Sequence, residues 1–200
     1  MINAKMGEER PKTTVVVALD GSKYSEHVVE CTRRIFPKAD EVTLVQAYGY
    51  SPVPEQICGV LGGPIFPEDE VHETNQTLQT LAKEKASKNL RKYSQQMENL
   101  GRKPDNLVVM LAEPQEKAKY ALLKYVEKVK PDFLVCGSRG MGAMGRMLLG
   151  STSDFLAHSA SCSVVIVKGE PKAKEIDVDV LVDEGEENAV AEGKEEKDSS

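Results

Sequence analysis

Residues 14–19 (TVVVAL) form a continuous apolar, β-branched run that stops at Asp20-Gly21-Ser22. A strand apolar at successive positions is one buried on both faces, as in a parallel sheet. Val28, Val29, Thr32, Ile35 and Phe36 then recur at helical spacing before Pro37, and Ser22 or Ser25 can cap that helix. The pattern repeats. Residues 42–47 (VTLVQA) predict a second strand. Leu78, Ala82, Ala86, Leu90, Tyr93, Met97 and Leu100 predict a long amphipathic helix that opens on Glu68-Asp69-Glu70 and stops at Gly101. Residues 106–111 (NLVVML) predict a third strand, and Ala118, Ala121, Leu122, Tyr125, Val126 and Val129 mark the apolar face of a third helix. A strand at 133–136, a short helix over 151–159 and a strand at 164–167 (VVIV) complete the series. Residues 48–69 hold four Pro and four Gly with no sustained period, which predicts a long loop. Strands alternating with helices through mostly short connections predict an α/β fold. The expected architecture is a five-stranded open parallel sheet, order 3-2-1-4-5, with helices on both faces.

Charge divides this picture in two. The net charge is −6, but residues 169–200 carry 12 Asp or Glu against 4 Lys, so the body before them is near neutral. A segment of that composition cannot bury enough apolar surface to offset its ordering entropy and is expected to be disordered. Ile176, Val178, Val180 and Val182 alternate with acidic or apolar neighbours and offer a short edge strand as the alternative. The expected plan is a flexible 1–12, a single folded domain over 13–168 and an acidic tail over 169–200. A near-neutral body without a run of five Lys or Arg gives no footprint for duplex nucleic acid. No apolar stretch approaches the roughly 18 residues of a membrane span, and residues 1–12 have no hydrophobic secretory core, which predicts a cytoplasmic protein without a membrane partner. Cys31, Cys58, Cys136 and Cys162 include no CxxC pair, and His27, His72 and His158 are scattered, so no dithiol or protein-built metal cluster is spelled out.

Open α/β sheets bind ligands outside the carboxyl ends of their strands, where the strand order reverses. The fourth strand is followed there by GSRGMGAMGRMLLGSTS, residues 137–153. Glycine lets backbone N–H groups approach an anion closely, and Gly150-Ser151-Thr152-Ser153 opens a helix whose first N–H groups lack intrahelical partners. Together they predict a phosphate cradle; the alternative is a flexible glycine loop. A Walker A loop fails for want of its lysine. Gly140-x-Gly142-x-x-Gly145 fails as a dinucleotide fingerprint, because Val165 stands about where an acid would hold the ribose. A third spacing, Gly-x2-Gly-x9-Gly-Ser, is met by Gly137, Gly140, Gly150 and Ser151.

That third spacing resembles the ATP loop of the universal stress protein family, and the likeness extends over residues 13–168. VVVALDGSKYSEHVV is similar to the family's first strand and helix, LAEPQEKAKYALLKYV to its middle turn and helix, and the stretch from Gly137 to Lys168 to its signature end. The resemblance implies the fold already inferred, a homodimer, and a cytosolic stress-response role in the branch that holds ATP with Mg or Mn. It implies that Asp20 binds the ribose or the metal, that Ala18 and Ala47 flank adenine, and that Cys136, Gly137, Gly140, Gly150, Ser151 and Thr152 hold ribose and phosphates. Two features depart from the family pattern. Ala112 stands where a glycine is usual before the acid-Pro pair, here Glu113-Pro114, and the loop over 48–69 is longer than common.

Residue chemistry supports Asp20 separately: its carboxylate directly follows the first strand and can accept ribose hydroxyls, with helix capping as the alternative. Arg139 and Arg146 can add charge at phosphates or lie in solvent. Cys136 is a small apolar strand residue unless a facing helix N-terminus lowers its thiol pKa. The expected function is an ATP-binding stress-response regulator or sensor that acts through nucleotide-linked conformation and partner binding. With no Ser/His/Asp order, paired carboxylates or metal-ligand cluster, an enzyme reading reduces to slow ATP cleavage or nucleotidyl transfer. A dimerisation module without nucleotide is the third reading. The last strand, residues 164–167, lies at a sheet edge in the expected order and should pair with its own copy.

Overall fold

In the computed structural model the apolar runs become β1 (Thr14–Ala18), β2 (Glu41–Tyr48), β3 (Asn106–Leu111), β4 (Phe133–Gly137) and β5 (Ser163–Val167). All pair in parallel, in the order β3-β2-β1-β4-β5. The intervening helices are α1 (Tyr24–Ile35), α2 (Glu68–Asn99), α3 (Ala118–Val129) and α4 (Ser151–Ser159). The structure describes residues 11–54, 67–113, 116–138 and 149–169. The expectations for the acidic tail, for the edge strand at 176–182 and for most of the 48–69 loop therefore lie outside the described residues.

Side chains of successive strand residues point to opposite faces, and this alternation builds two cores. Val15, Val17, Leu44 and Val135 pack on one face with Val28 and Val29 of α1 and Leu90, Tyr93 and Met97 of α2. Val16, Val45 and Leu134 pack on the other with Leu122 and Val126 of α3 and Leu156 of α4. The strands are buried on both sides, which is why they read as unbroken apolar runs.

The two ends of the sheet are finished differently. At the amino ends, Asp40 accepts from the Thr13 N–H (2.8 Å), Asp132 from the Thr14 N–H (2.7 Å) and Asp105 from the Val42 N–H (2.7 Å). Three carboxylates thus satisfy backbone donors where β1 and β2 begin, and the bonds from the Thr14 N–H and hydroxyl hold the Asp132 carboxyl below its usual range. At the carboxyl ends the chain opens into the cavity considered below.

The long second helix ends as its sequence predicts. Gly101 adopts φ +85°, a left-handed conformation that suits glycine, and the Arg102 N–H donates back to the Met97 carbonyl (3.1 Å). Near its other end, Asn75 clamps the start of the proline-rich loop, accepting from the Val53 N–H (2.7 Å) and donating to the Val53 carbonyl (3.0 Å). Boundaries shift by a residue or so from the sequence pattern: β1 stops at Ala18 rather than 19, and β2 extends to Tyr48. Strand β5 is the terminal strand of the sheet, with Val164, Val165 and Ile166 only half-buried. Among the described residues no helix is long and apolar enough to cross a membrane.

Candidate functional site: a cavity at the switch point of the sheet

The order of strands reverses between β1 and β4, and a cavity of about 800 Å³ opens at their carboxyl ends. Its floor is Ala18, Ala47 and Cys136, from three adjacent strands. Ala18 pairs with Cys136 on one side and Val45 on the other, so the floor is a fixed strip of sheet with small side chains. Asp20, Gly21, Tyr24 and Ser25 form one wall, Gly137, Gly150, Ser151 and Thr152 a second, and Lys85 and Asn89 of α2 a third. The volume falls in the range of ligand pockets, about 300–1,000 Å³.

The first wall is held by its own side chains. Asp20 Oδ1 accepts from the Ser22 N–H (3.0 Å) and from the Ser25 hydroxyl (2.9 Å), and the Ser22 hydroxyl oxygen accepts from the Tyr24 N–H (3.3 Å). Gly21, at φ +80°, makes the turn sharp enough for this, and a Cβ there would strike the side-chain amide of Asn89. Asp20 Oδ1 thus braces the turn that precedes α1, together with Ser25, and the Ser22 hydroxyl, one residue ahead of the N-cap position at Lys23, accepts from the first helical N–H.

The second wall is held from behind. The Ser153 hydroxyl donates to the Gly137 carbonyl (2.5 Å), the Gly150 N–H to the Ser138 carbonyl (2.7 Å), and the Ser138 N–H to the Val167 carbonyl (2.7 Å). These bonds fix the start of α4 against the ends of β4 and β5. At the front, Gly150 occupies the N-cap position in an extended conformation, and among the described residues no side chain caps the helix. Cys136 lies beneath it and is buried. Burial pushes its thiol pKa up to about 11, overriding the lowering effect of the Ser153 hydrogen bond, so this cysteine is a protonated, apolar floor residue.

Of the residues singled out in the sequence, Ala18, Asp20, Ala47, Cys136, Gly137, Gly150, Ser151 and Thr152 all line this cavity. Gly140 lies outside the described residues, as do Arg139 and Arg146. Ala112 is buried, donates its N–H to the Tyr48 carbonyl (2.7 Å) and is not part of the lining. Sequence reasoning missed Tyr24, Gln46, Lys85 and Asn89. The first is an ordinary helix residue, and the two on α2 carry no local signal because they face the cavity only once that helix is docked. Gln46 did carry one, as the one amide in a largely apolar, buried strand.

A parallel sheet with helices on both faces and a crevice at its switch point defines a doubly wound α/β domain. The family model for "Universal stress protein family" matches residues 12–168. The chain belongs to that family. It is similar to a Thermus aquaticus universal stress protein encoded in a sulfhydrylase 3′ region, 27% identical over 155 residues that cover 78% of this chain and 98% of that protein. Among solved structures it resembles the hypothetical protein MJ0577, with a TM-score of 0.59 at 20% identity over 80% of this chain and 97% of the other. It also resembles a universal stress protein in complex with cAMP, with a TM-score of 0.51 at 22% identity over 80% and 98% of the two chains. At these identities the structural likenesses speak to the fold.

Proposed function

We propose that the cavity binds ATP, and that the protein is a cytoplasmic stress-response regulator whose conformation or partner binding depends on that nucleotide. The observation that carries this reading is the uncapped start of α4, where Gly150, Ser151 and Thr152 line a cavity that also contains Asp20. Backbone donors at a helix N-terminus suit phosphate oxygens, and a neighbouring carboxylate suits sugar hydroxyls. In this reading Gly137, Gly140, Gly150, Ser151 and Thr152 hold the phosphates, Asp20 and Cys136 border the ribose, and Ala18 and Ala47 flank the adenine. The structural neighbour in complex with cAMP supports an adenine nucleotide. Among the described residues no group of three or more His, Cys, Asp or Glu could hold a metal. In this reading Mg or Mn would enter on the phosphates, with Asp20 as the nearby carboxylate, and would neutralise phosphate charge. Calorimetric titration with ATP and Mg tests the reading. Micromolar affinity, about −8 kcal/mol, is expected, and no saturable binding up to millimolar ATP would overturn it.

The same reading includes a homodimer, with residues 169–200 as an acidic tail outside the folded domain. Strand β5 is the terminal strand, and its half-buried Val164, Val165 and Ile166 favour pairing with a second copy about a two-fold axis. Light scattering should report twice the chain mass. Ile166→Lys should give a monomer that still binds ATP, because none of the residues that line the cavity belongs to β5. A wild-type monomer at high micromolar concentration would reject the pairing.

A further inference from the structure

The chain leaves β5 tied to both walls of the cavity. On the side of the second wall, the Ser138 N–H donates to the carbonyl of Val167, the last residue of β5 (2.7 Å), and the Ser138 carbonyl accepts from the Gly150 N–H at the start of α4 (2.7 Å). On the side of the first wall, the ring of Tyr24, the first residue of α1, lies against Gly169. The approach is so close that a Cβ at position 169 would stand 2.8 Å from Cδ1 and Cε1 of that ring. Only a residue without a side chain fits there unless the ring moves. Tyr24 is half-buried and lines the cavity, whereas Gly169 does not line it. Gly169 is also the residue at which the acidic composition begins. Tyr24 therefore has the cavity and the base of the acidic tail as neighbours at once.

We propose that the base of the acidic tail is coupled to the nucleotide site: Gly169 is a positioning residue that seats the Tyr24 ring, and a bound nucleotide, by fixing that ring, fixes the point from which residues 169–200 depart. Resting on the nucleotide reading above, this coupling names the segment through which occupancy is read out. A ligand shifts such a contact only by as much as it binds the two seatings of the ring differently, and the coupling is reciprocal: whatever the seat at Gly169 does to the nucleotide, the nucleotide does to the seat. Glycine offers Tyr24 no side chain, so the coupling runs through packing against the ring and not through the tyrosine hydroxyl. The hydrogen bond from Ser138 holds the chain two residues earlier, at Val167, which limits how far the backbone at Gly169 can follow a displaced ring.

Calorimetry with ATP and Mg on the full chain tests the coupling in one direction. Gly169→Ala sets a methyl group against the ring and should weaken ATP binding by about fivefold or more, although residue 169 does not line the cavity. Tyr24→Phe keeps the ring, so Gly169→Ala should cost as much in that background as in wild type. In a Tyr24→Ala background the same substitution should change affinity by less than about twofold, whereas a glycine needed only to end β5 would cost the same in every background. Trypsin cleavage at the Lys168–Gly169 bond, followed by mass spectrometry, tests the other direction: saturating ATP should slow it about fivefold or more in wild type and less than about twofold in Tyr24→Ala. An ATP affinity unchanged by Gly169→Ala, an equal loss in the Tyr24→Ala background, or cleavage that ATP does not slow overturns the coupling while leaving nucleotide binding intact. Wild-type protein that binds no ATP overturns the nucleotide reading and this inference with it.

Discussion

Helices α1 and α4 both begin at the same cavity, but their first turns are finished in different ways. The start of α1 is closed by side chains: Ser22 accepts from the Tyr24 N–H, and the Asp20 carboxylate accepts from Ser22 and Ser25. An anion belonging to the protein already sits at the positive end of that helix. The start of α4 has Gly150 at its cap and, among the described residues, no side chain that caps it. Two helix dipoles of the same sense therefore differ in what they can accept. The α1 end repels a second anion and suits neutral groups with hydroxyl donors; the α4 end suits an anion. The difference orients a ligand that has a phosphate at one end and a sugar in its middle, and it does so without a lysine of the Walker type.

The largest expected effect tests how firmly the α1 end is closed. Gly21→Val imposes a β-branched side chain at φ +80° and drives its Cβ into the Asn89 amide. A loss of about 3 kcal/mol in unfolding free energy is expected from denaturant titration. An unchanged midpoint would mean that the turn relaxes easily and that its closure is not a fixed feature.

The α4 end can be tested through the cysteine beneath it. The Cys136 thiol ionises near 9 when unfolded and near 11 when folded, so stability is fully present below pH 9 and declines as pH rises through 11. Two pKa units correspond to about 3 kcal/mol in all. Cys31 and Cys162 are shifted upward by burial as well, so the decline should be read as the difference between wild type and Cys136→Ala under reducing conditions. If the α4 amides acted on the thiol, its folded pKa would fall below 9 and stability would instead increase with pH on the way to 9. That outcome would redirect the α4 dipole from the cavity to the floor.

Ser151→Pro then asks whether those amides do face a ligand. Proline is well tolerated at the first helical position, and Gly150 already has the extended conformation (ψ 151°) that a residue before proline prefers. The substitution deletes one N–H while leaving α4 intact. ATP affinity should drop by about 2 kcal/mol, roughly thirtyfold, with little change in melting temperature. Undiminished binding would move the phosphates away from α4.

How far the sequence displays this contrast depends on which forces write locally. The doubly buried strands are legible because burial on both faces forces apolar residues at every position, and the bare α4 start is legible because glycine and serine mark it chemically. The closure at α1 is only half legible. Ser22 is an ordinary acceptor ahead of a helix, but the use of Asp20 within its own turn depends on Ser25 one helical turn later and on Gly21 being pressed against Asn89, sixty-eight positions along the chain. Lys85 and Asn89 were invisible for the same reason: α2 docks on the sheet through Ala86, Leu90, Tyr93 and Met97, and only that docking turns its flank toward the cavity. Gln46 was visible as a polar residue in an apolar strand, yet only the fold shows that it lines the cavity.

The smallest expected effect is also the sharpest discriminator between the two helix ends. Ser22→Ala removes the hydroxyl that accepts from the Tyr24 N–H, but Asp20 still accepts from the Ser22 backbone N–H, so the turn itself persists. Loss of a serine hydroxyl that accepts from a first helical N–H costs about 1 kcal/mol, and Ser22 is half-exposed, so water can reach the released amide and keep the cost at that level. Because Asp20 still supplies negative charge there, the released amide should not recruit phosphate. ATP affinity measured by calorimetry should therefore stay within about twofold of wild type while the unfolding free energy falls. An affinity loss as large as that expected for Ser151→Pro would show that both helix ends contact the anion, and the division of labour between them would have to be abandoned.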